Sequence, residues 1–162
     1  MNPALLPALA DLFIIGYGDG CCIPNPGPGG HAWCATMPDG STVEYHRHDP
    51  DATNSTQEMK ALLSFLEWVP PEMPAVIFLD SQFVVKGCNE WLAGWRKGDG
   101  KAVANADLWK QIDALLSARK VRVEWVKGHA TSAGNNRADA LADEAARNWG
   151  LADGLLRVIP QC

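Results

Sequence analysis

Short apolar runs closed by turn residues divide the chain into strands. The runs Leu12–Gly16 and Ala75–Leu79 are each followed, within three residues, by an aspartate. Runs of this length that end at turn residues predict buried strands, the first of them stopped by a turn at Gly18-Asp19-Gly20. The Pro- and Gly-rich stretch 25–30 is predicted to be a loop. A hairpin is predicted where Pro38-Asp39-Gly40 separates residues 31–37 from residues 41–48.

Helical periodicity follows the hairpin. Leu62, Phe65, Leu66 and Val69 lie at i, i+3, i+4 and i+7, and Pro70 ends this helix. Further elements are predicted as a helix at 82–95, a loop at 96–104, a helix around 108–116, a strand at 121–126 and a helix around 138–145. This order predicts an α/β domain that begins with antiparallel strands and continues through right-handed crossovers.

The length of 162 residues fits one domain, which we place at residues 11–150. Residues 1–10 are apolar but contain two prolines and no basic residue, so they are predicted to be an extension and not a secretory signal. Residues 151–162 are predicted to be a loosely held tail. No apolar run reaches the length of a membrane span.

Composition is that of a globular protein, with 47% hydrophobic and 20% charged residues. The five cysteines are an odd number, and Cys21 and Cys22 are adjacent. This pattern argues against a disulfide framework and predicts a reducing, cytoplasmic environment.

Charge is distributed unevenly along the chain. The net charge is −5, yet residues 86–137 carry ten basic and five acidic side chains, against four basic and fourteen acidic elsewhere. A phosphate backbone would respond to this local field within about 10 Å at ordinary salt. Charge alone leaves a nucleic-acid surface and an ordinary solvated surface equally open.

Four carboxylates occupy positions that could converge. Asp19 and Asp80 follow predicted strands, and Glu58 and Asp139 lie in the first turns of predicted helices. Ligand sites in open α/β sheets form at strand ends, and clustered carboxylates favour Mg²⁺ or Mn²⁺. Each residue also has a local alternative: a turn residue at Asp19, an N-cap at Asp80, a capping box at Glu58 and a dipole partner at Asp139. Their joint placement favours the metal site.

Two other features have both an ordinary and a functional interpretation. His129 lies in a predicted loop ten residues before Asp139. It is either an ordinary surface residue or a proton carrier beside a metal site. Trp91 and Trp95 are one helical turn apart, next to Arg96. They fit a core cluster, or a platform on which sugars and bases stack.

Seven sequence blocks follow one another between about Asp11 and Trp149. They are Asp19-Gly20, Asn25-Pro26-Gly27-Pro28-Gly29-Gly30, Thr53-Asn54 leading to Glu58, Asp80-Ser81-Gln82, Asn105-Ala106-Asp107-Leu108-Trp109, Trp125-Val126-Lys127-Gly128-His129-Ala130 and Asn135-Asn136-Arg137-Ala138-Asp139-Ala140-Leu141-Ala142. In their content and order these blocks resemble type 1 ribonuclease H.

The resemblance implies a ribonuclease H-like fold, with a five-stranded mixed sheet of three antiparallel and then two parallel strands, flanked by helices. It implies a monomeric enzyme that cuts the RNA strand of RNA–DNA hybrids and leaves 5′-phosphate and 3′-hydroxyl ends. Asp19, Glu58, Asp80 and Asp139 would hold two Mg²⁺ ions about 3.5–4 Å apart, with Mn²⁺ as a substitute. His129 would assist proton transfer and product departure.

The resemblance also implies substrate contacts. The ribose 2′-hydroxyls would be read by Asn25, Glu58 and Gln82, with backbone groups near Gly20 and Cys22. The DNA strand would be held by Thr53, Asn54, Trp91 and Asn105, and by a basic segment made of Lys86, Arg96, Lys97 and Lys101.

The chain departs from the family pattern at three places. Gly18 stands where the family usually has threonine, and Asp51 stands where many members have a basic residue. The basic protrusion is short. A DNA nuclease of the same fold, such as a junction resolvase, and an inactive hybrid-binding module therefore remain as alternatives.

Overall fold

A mixed β-sheet forms the centre of the computed structural model, which describes residues 12–96, 103–128 and 132–161. Its strands are β1 (Ile14–Cys22), β2 (Gly27–Thr36), β3 (Thr42–Ala52), β4 (Ala75–Leu79), β5 (Val121–Trp125) and β6 (Leu155–Ile159). Their spatial order is β5-β4-β1-β2-β3-β6. The pairs β1–β4 and β4–β5 are parallel and the others antiparallel, which confirms the predicted order of the first five strands.

Helices cover both faces of this sheet. They are α1 (Asn54–Trp68), α2 (Gln82–Lys86), α3 (Leu92–Arg96), α4 (Ala106–Ala118) and α5 (Ala133–Arg147). One π-helical turn, Gly87–Trp91, joins α2 to α3, so the helix predicted at 82–95 is present with a local irregularity. Within the described ranges, no helix is long and apolar enough to cross a membrane.

Alternate residues of β2 bury against different helices. Trp33 is almost fully buried and packs edge-on against Phe65 of α1, with ring centroids 5.5 Å apart. Its neighbour Ala32 packs on the other face against Leu141 and Ala142 of α5. This period of two places the larger core between the sheet and α1, and a thinner layer of small side chains under α5.

Strand β1 does not stop at Gly18-Asp19-Gly20, so the predicted turn there is wrong. The strand continues to Cys22 and pairs with β2 along this stretch. Gly20 is required by close packing: a Cβ added there would lie 2.3 Å from the Gln57 carbonyl carbon and 2.5 Å from the Glu58 nitrogen. The glycine lets helix α1 approach the strand.

Strand β2 likewise begins inside the predicted loop at 25–30. A Cβ added at Gly30 would lie 2.4 Å from both the Ala142 oxygen and the Ala146 nitrogen. The glycine therefore lets α5 lie directly on the strand, and it extends β2 instead of breaking it.

The prediction of a loosely held tail is wrong for residues 155–159. These residues form β6, which pairs antiparallel with β3 from Thr42↔Ile159 to His46↔Leu155. All five residues of β6 are exposed. The sheet therefore has six strands, one more than the five predicted.

Candidate active site

Sheet register places Asp19 beside Asp80. The last parallel pair between β1 and β4 is Gly18↔Leu79, so the next residue on each strand is an aspartate. Neighbouring strands lie about 4.8 Å apart. Two carboxylates from distant parts of the sequence thus become neighbours at the point where β4 ends. Asp19 itself lies within β1, with only 8% of its surface exposed.

Helix α1 brings Glu58 to the same point. Single side-chain oxygens of Asp19, Glu58 and Asp80 all lie within 4.8 Å of one another. The Asp139 side chain of α5 hydrogen-bonds the Asp19 side chain from the other face. The structure therefore brings together the four carboxylates predicted from the sequence.

Burial and mutual repulsion disfavour ionisation of these carboxyls. The pKa of Asp19 rises from 3.8 to about 8, first because the group is buried, then because of the Asp80 charge and because the protonated Asp19 donates a hydrogen bond to Asp139. The Gly20 N–H, which donates to Asp19 Oδ1 at 2.9 Å, opposes this rise. Burial also raises the pKa of Glu58. Cations at this position would stabilise all four anions.

Glu58 does not cap its helix. The capping box at the start of α1 is formed by Thr53 and Thr56, and Glu58 is the fifth helical residue instead of a first-turn residue. Its carboxyl accepts a hydrogen bond from Ser81. The local alternative for Glu58 is therefore wrong, and its side chain is available to the site.

Asp80 and Asp139 are not caps either. Ser81 is the N-cap of α2 and accepts from the Val84 N–H. Ser132 is the N-cap of α5, and Asp139 is the seventh residue of that helix, beyond its first turn.

A buried polar chain fixes the start of α1 behind Glu58. Gln57 has no exposed surface, and its Nε2 donates to Asp49 Oδ2 at 3.0 Å. Because a carboxylate only accepts, this contact turns Gln57 Oε1 toward His31, whose Nδ1 donates over 2.9 Å. Lys60 pairs with the same Asp49 oxygen. No local sequence pattern predicts these buried hydrogen bonds, because His31, Asp49 and Gln57 lie on three different elements, β2, β3 and α1.

Asn25, Asn54 and Cys22 meet at the end of β1. The Cys22 N–H donates to Asn54 Oδ1 at 2.8 Å, and the Asn54 N–H donates to Asn25 Oδ1 at 3.2 Å. Gln82 is exposed and opens α2, two residues after Asp80. Cys22, Asn25 and Gln82, which were predicted to read ribose, therefore lie on segments that adjoin the four carboxylates, and so does Asn54, which was predicted to touch the DNA strand.

The residues predicted to hold the DNA strand lie on separate elements. Thr53 is the N-cap of α1, and Asn105 is the N-cap of α4 with φ 60° and no side-chain hydrogen bond to that helix. Trp91 is half-buried, with ring centroids 5.8 Å from Phe83 and 6.0 Å from Trp95. Trp91 is therefore a member of an aromatic cluster, and its role as a platform for sugars and bases stays a prediction.

Part of the predicted site lies outside the described residues. This applies to His129, Lys97 and Lys101, and to the side chain of Arg96. Lys86 is described and exposed, at the end of α2.

Two residues that support Asp80 were not predicted. The Trp125 Nε1 donates to the Asp80 carbonyl at 3.2 Å, although the indole is 46% exposed. A Cβ added at Gly128 would lie 2.9 Å from Asp80 Oδ2. Residues 125–128 belong to one of the sequence blocks that resemble the family. That they pack on Asp80 becomes visible only from the register of β4 and β5.

Comparison with known proteins agrees with this fold and site. The RNase H family model matches residues 13–147. A curated relative, Ribonuclease H of Thiobacillus denitrificans, is 41% identical over 141 residues, which cover 83% of this chain and 93% of the relative. The chain therefore belongs to the RNase H family.

Solved structures show the same architecture. RNase H1 of the halophilic archaeon Halobacterium salinarum superposes with a TM-score of 0.63 at 30% identity, over 83% of this chain and 97% of that one. LC11-RNase H1 in complex with an RNA/DNA hybrid superposes with a TM-score of 0.65 at 24% identity, over 83% and 96%. This second similarity concerns the fold alone.

Proposed function

We propose that this chain is an endoribonuclease that hydrolyses the RNA strand of RNA–DNA hybrids and leaves 5′-phosphate and 3′-hydroxyl ends. The main support for this proposal is the convergence of Asp19, Glu58, Asp80 and Asp139 at the point where β4 ends beside β1. Membership of the RNase H family supports it, as does the 41% identity to Ribonuclease H of Thiobacillus denitrificans.

The donor set fits two divalent metal ions. All four side chains offer only oxygen, which favours Mg²⁺, with Mn²⁺ as a substitute. When bound, two such ions supply a water of lowered pKa and positive charge beside the leaving oxygen. The raised pKa of Asp19 means that this side chain must release its proton before it can act as a ligand. We assign proton transfer during turnover to His129.

RNA is selected through its 2′-hydroxyls. We assign their recognition to Asn25, Glu58 and Gln82, with backbone groups at Gly20 and Cys22. The hydrogen bond from the Asn54 N–H to Asn25 Oδ1 supports this assignment, because it orients the Asn25 amide before substrate arrives.

We expect the protein to hold the DNA strand more weakly than the RNA strand. We assign its phosphate to Thr53 and Asn105, two N-cap positions where backbone N–H groups point outward. Asn54 would touch the same strand, and Trp91 would lie against its sugars. Exposed Asp51 lies two residues from Thr53 and repels phosphate. The basic segment compensates by attracting the backbone from a distance.

We infer that the protein acts as a monomer in the cytoplasm. Cys21, Cys22, Cys34 and Cys88 are free thiols. Persistent free thiols are typical of a reducing compartment.

Cleavage assays on three labelled duplexes test the proposal. We expect cuts in the RNA strand of an RNA–DNA hybrid in Mg²⁺, and none in double-stranded RNA or double-stranded DNA. Asp80→Asn is the matched control, because it removes one anionic oxygen at nearly constant volume. Its rate should fall by orders of magnitude while hybrid binding persists.

The other outcomes identify the alternatives. Cleavage of branched or duplex DNA would indicate a DNA nuclease of the same fold. Hybrid binding without cleavage in either Mg²⁺ or Mn²⁺ would indicate a binding module, and both results would overturn the proposal.

A further inference from the structure

The chain continues beyond the part that matches the RNase H family model. The match ends at Arg147, whereas the described structure goes on through a 3₁₀ turn, Trp149–Leu151, to strand β6. Strand β6 adds to the edge of β3, on the side of the sheet remote from β4 and β5. This added strand has contacts that reach the helix carrying Asp139.

Glu44 of β3 joins the added strand to that helix. It is 5% exposed, and its carboxylate accepts from the guanidinium groups of two arginines. Arg137 of α5 bonds both carboxylate oxygens, with Nη2 2.9 Å from Oε1. Arg157 of β6 donates to Oε1 as well, also at 2.9 Å. These hydrogen bonds hold the pKa of Glu44 at about 2, so the group stays ionised at neutral pH.

The Arg137–Glu44 pair restrains the rotation of α5. Residues 137 and 139 are about 200° apart around a helix, so Arg137 reaches β3 while Asp139 reaches Asp19 of β1. A small rotation of α5 that lengthened one contact would therefore displace the other.

The other contacts of α5 with the sheet are of two kinds. Small residues, such as Ala142 and Ala146 over Gly30, allow close approach but do little to define rotation. Two backbone carbonyls accept single hydrogen bonds, Gly134 from the Cys34 Sγ at 3.4 Å and Ala145 from the His48 Nδ1 at 2.8 Å. A bidentate guanidinium–carboxylate pair defines orientation more strictly than a single hydrogen bond. The orientation of the Glu44 carboxylate is therefore important for the position of Asp139.

We infer that Arg157 is a positioning residue of the active site, which acts through Glu44 and Arg137 to hold Asp139 against Asp19. This inference rests on the proposed metal-dependent function. Arg157 holds Oε1 from the β6 side, so the carboxylate cannot turn away from Arg137. Without Arg157, Glu44 stays buried with one cation instead of two, and its carboxylate is free to rotate.

The test compares substitutions of Arg157 in the full-length protein. Arg157→Met removes the charge and keeps the aliphatic stem, and Arg157→Lys restores the charge. Arg147→Met is the matched control: Arg147 is an exposed arginine on α5, the helix that carries Asp139, and among the described residues its ion pair is with Asp143 at the surface. Three quantities are measured for each variant. They are the Mg²⁺ concentration that gives half-maximal cleavage at saturating hybrid, Mg²⁺ binding to the free protein by calorimetry, and thermal unfolding by circular dichroism.

We expect Arg157→Met to weaken Mg²⁺ binding by about threefold to tenfold in both measurements. The KM for the hybrid should stay within about twofold of the unmodified protein, because Arg157 contacts no substrate. Arg157→Lys should recover most of the Mg²⁺ affinity, and Arg147→Met should not change it. A purely structural role would lower the unfolding temperature without moving the Mg²⁺ dependence at temperatures where the protein is folded.

Unchanged Mg²⁺ affinity in folded Arg157→Met would overturn the inference. If that variant does not fold, Arg157→Gln, which can still donate a hydrogen bond, replaces it under the same criterion. Failure of the proposed function is distinguishable, because in that case the unmodified protein would not cleave the hybrid in Mg²⁺.

Discussion

Asp19 should destabilise the metal-free protein as the pH rises. Burial, the charge of Asp80 and the hydrogen bond that its protonated form donates to Asp139 raise its pKa from 3.8 to about 8 in the folded state. Between these two values the folded protein holds a proton that the unfolded chain has lost. The free energy of unfolding therefore falls as the pH rises from about 4 to about 8. The full stability of the protonated Asp19 form is present only below about pH 4.

The size of this effect follows from the pKa difference. One pKa unit corresponds to about 1.4 kcal/mol, so the rise from 3.8 to about 8 gives an upper limit of about 6 kcal/mol. Solvent and protein relaxation screen charges even at buried sites. We therefore expect at least about 2 kcal/mol, which corresponds to about 4–8 °C in Tm for a chain of this size.

Unfolding of Asp19→Asn in EDTA measures the effect directly. The neutral amide should make the metal-free protein more stable than the parent, and the gain should be larger at about pH 8 than at about pH 5. Exposed Asp153→Asn is the control for loss of one negative charge and should show no such gain. Mg²⁺ should raise the Tm of the parent much more than that of Asp19→Asn.

Two results would refute this reasoning. One is an Asp19→Asn variant no more stable than the parent at about pH 8. The other is a gain that is the same at both pH values, because that would not come from ionisation.

Further substitutions test the other parts of the site. His129→Ala should lower kcat by about 10²–10⁴-fold, with partial recovery in Mn²⁺ or at higher pH; complete loss under all conditions would contradict a proton-transfer role. Changing Arg96, Lys97 and Lys101 together to Ala should raise KM and flatten its salt dependence with little change in kcat, and the reverse pattern would contradict phosphate contact. Gln57→Met should cost about 1–3 kcal/mol in urea unfolding because it leaves buried partners unsatisfied, and a neutral result would show that the buried chain is not stabilising.

The sequence carried enough information to predict which carboxylates meet. Asp80 follows a short apolar run that can only be a buried strand, and Glu58 follows the start of a periodic helix. These are local signals, and the structure confirms them. The convergence itself depends on the spatial order of the strands. The family resemblance implied only that the four carboxylates share a site, and the parallel pairing of β1 with β4 is what makes Asp19 and Asp80 neighbours.

Long-range contacts account for what was missed. Gly18 and Gly20 look like turn residues along the chain, but they are needed where helix and strand pack closely. Residues 155–159 form a strand only because the edge of β3, more than 100 residues earlier, offers backbone partners. The contacts of Gln57 with His31 and Asp49 likewise depend on packing between elements, which local patterns do not report.

The pairing Gly18↔Leu79 makes the spacing of Asp19 and Asp80 a property of the backbone ladder. A helix can tilt or slide and carry Glu58 or Asp139 with it, whereas paired strands keep a fixed separation. One residue inserted in β1 before Asp19 would turn its side chain to the opposite face while leaving most of the sheet intact. Loops that carry no residue of the site can therefore vary in length, but the count of residues within β1 and β4 is constrained by the chemistry that the two aspartates share.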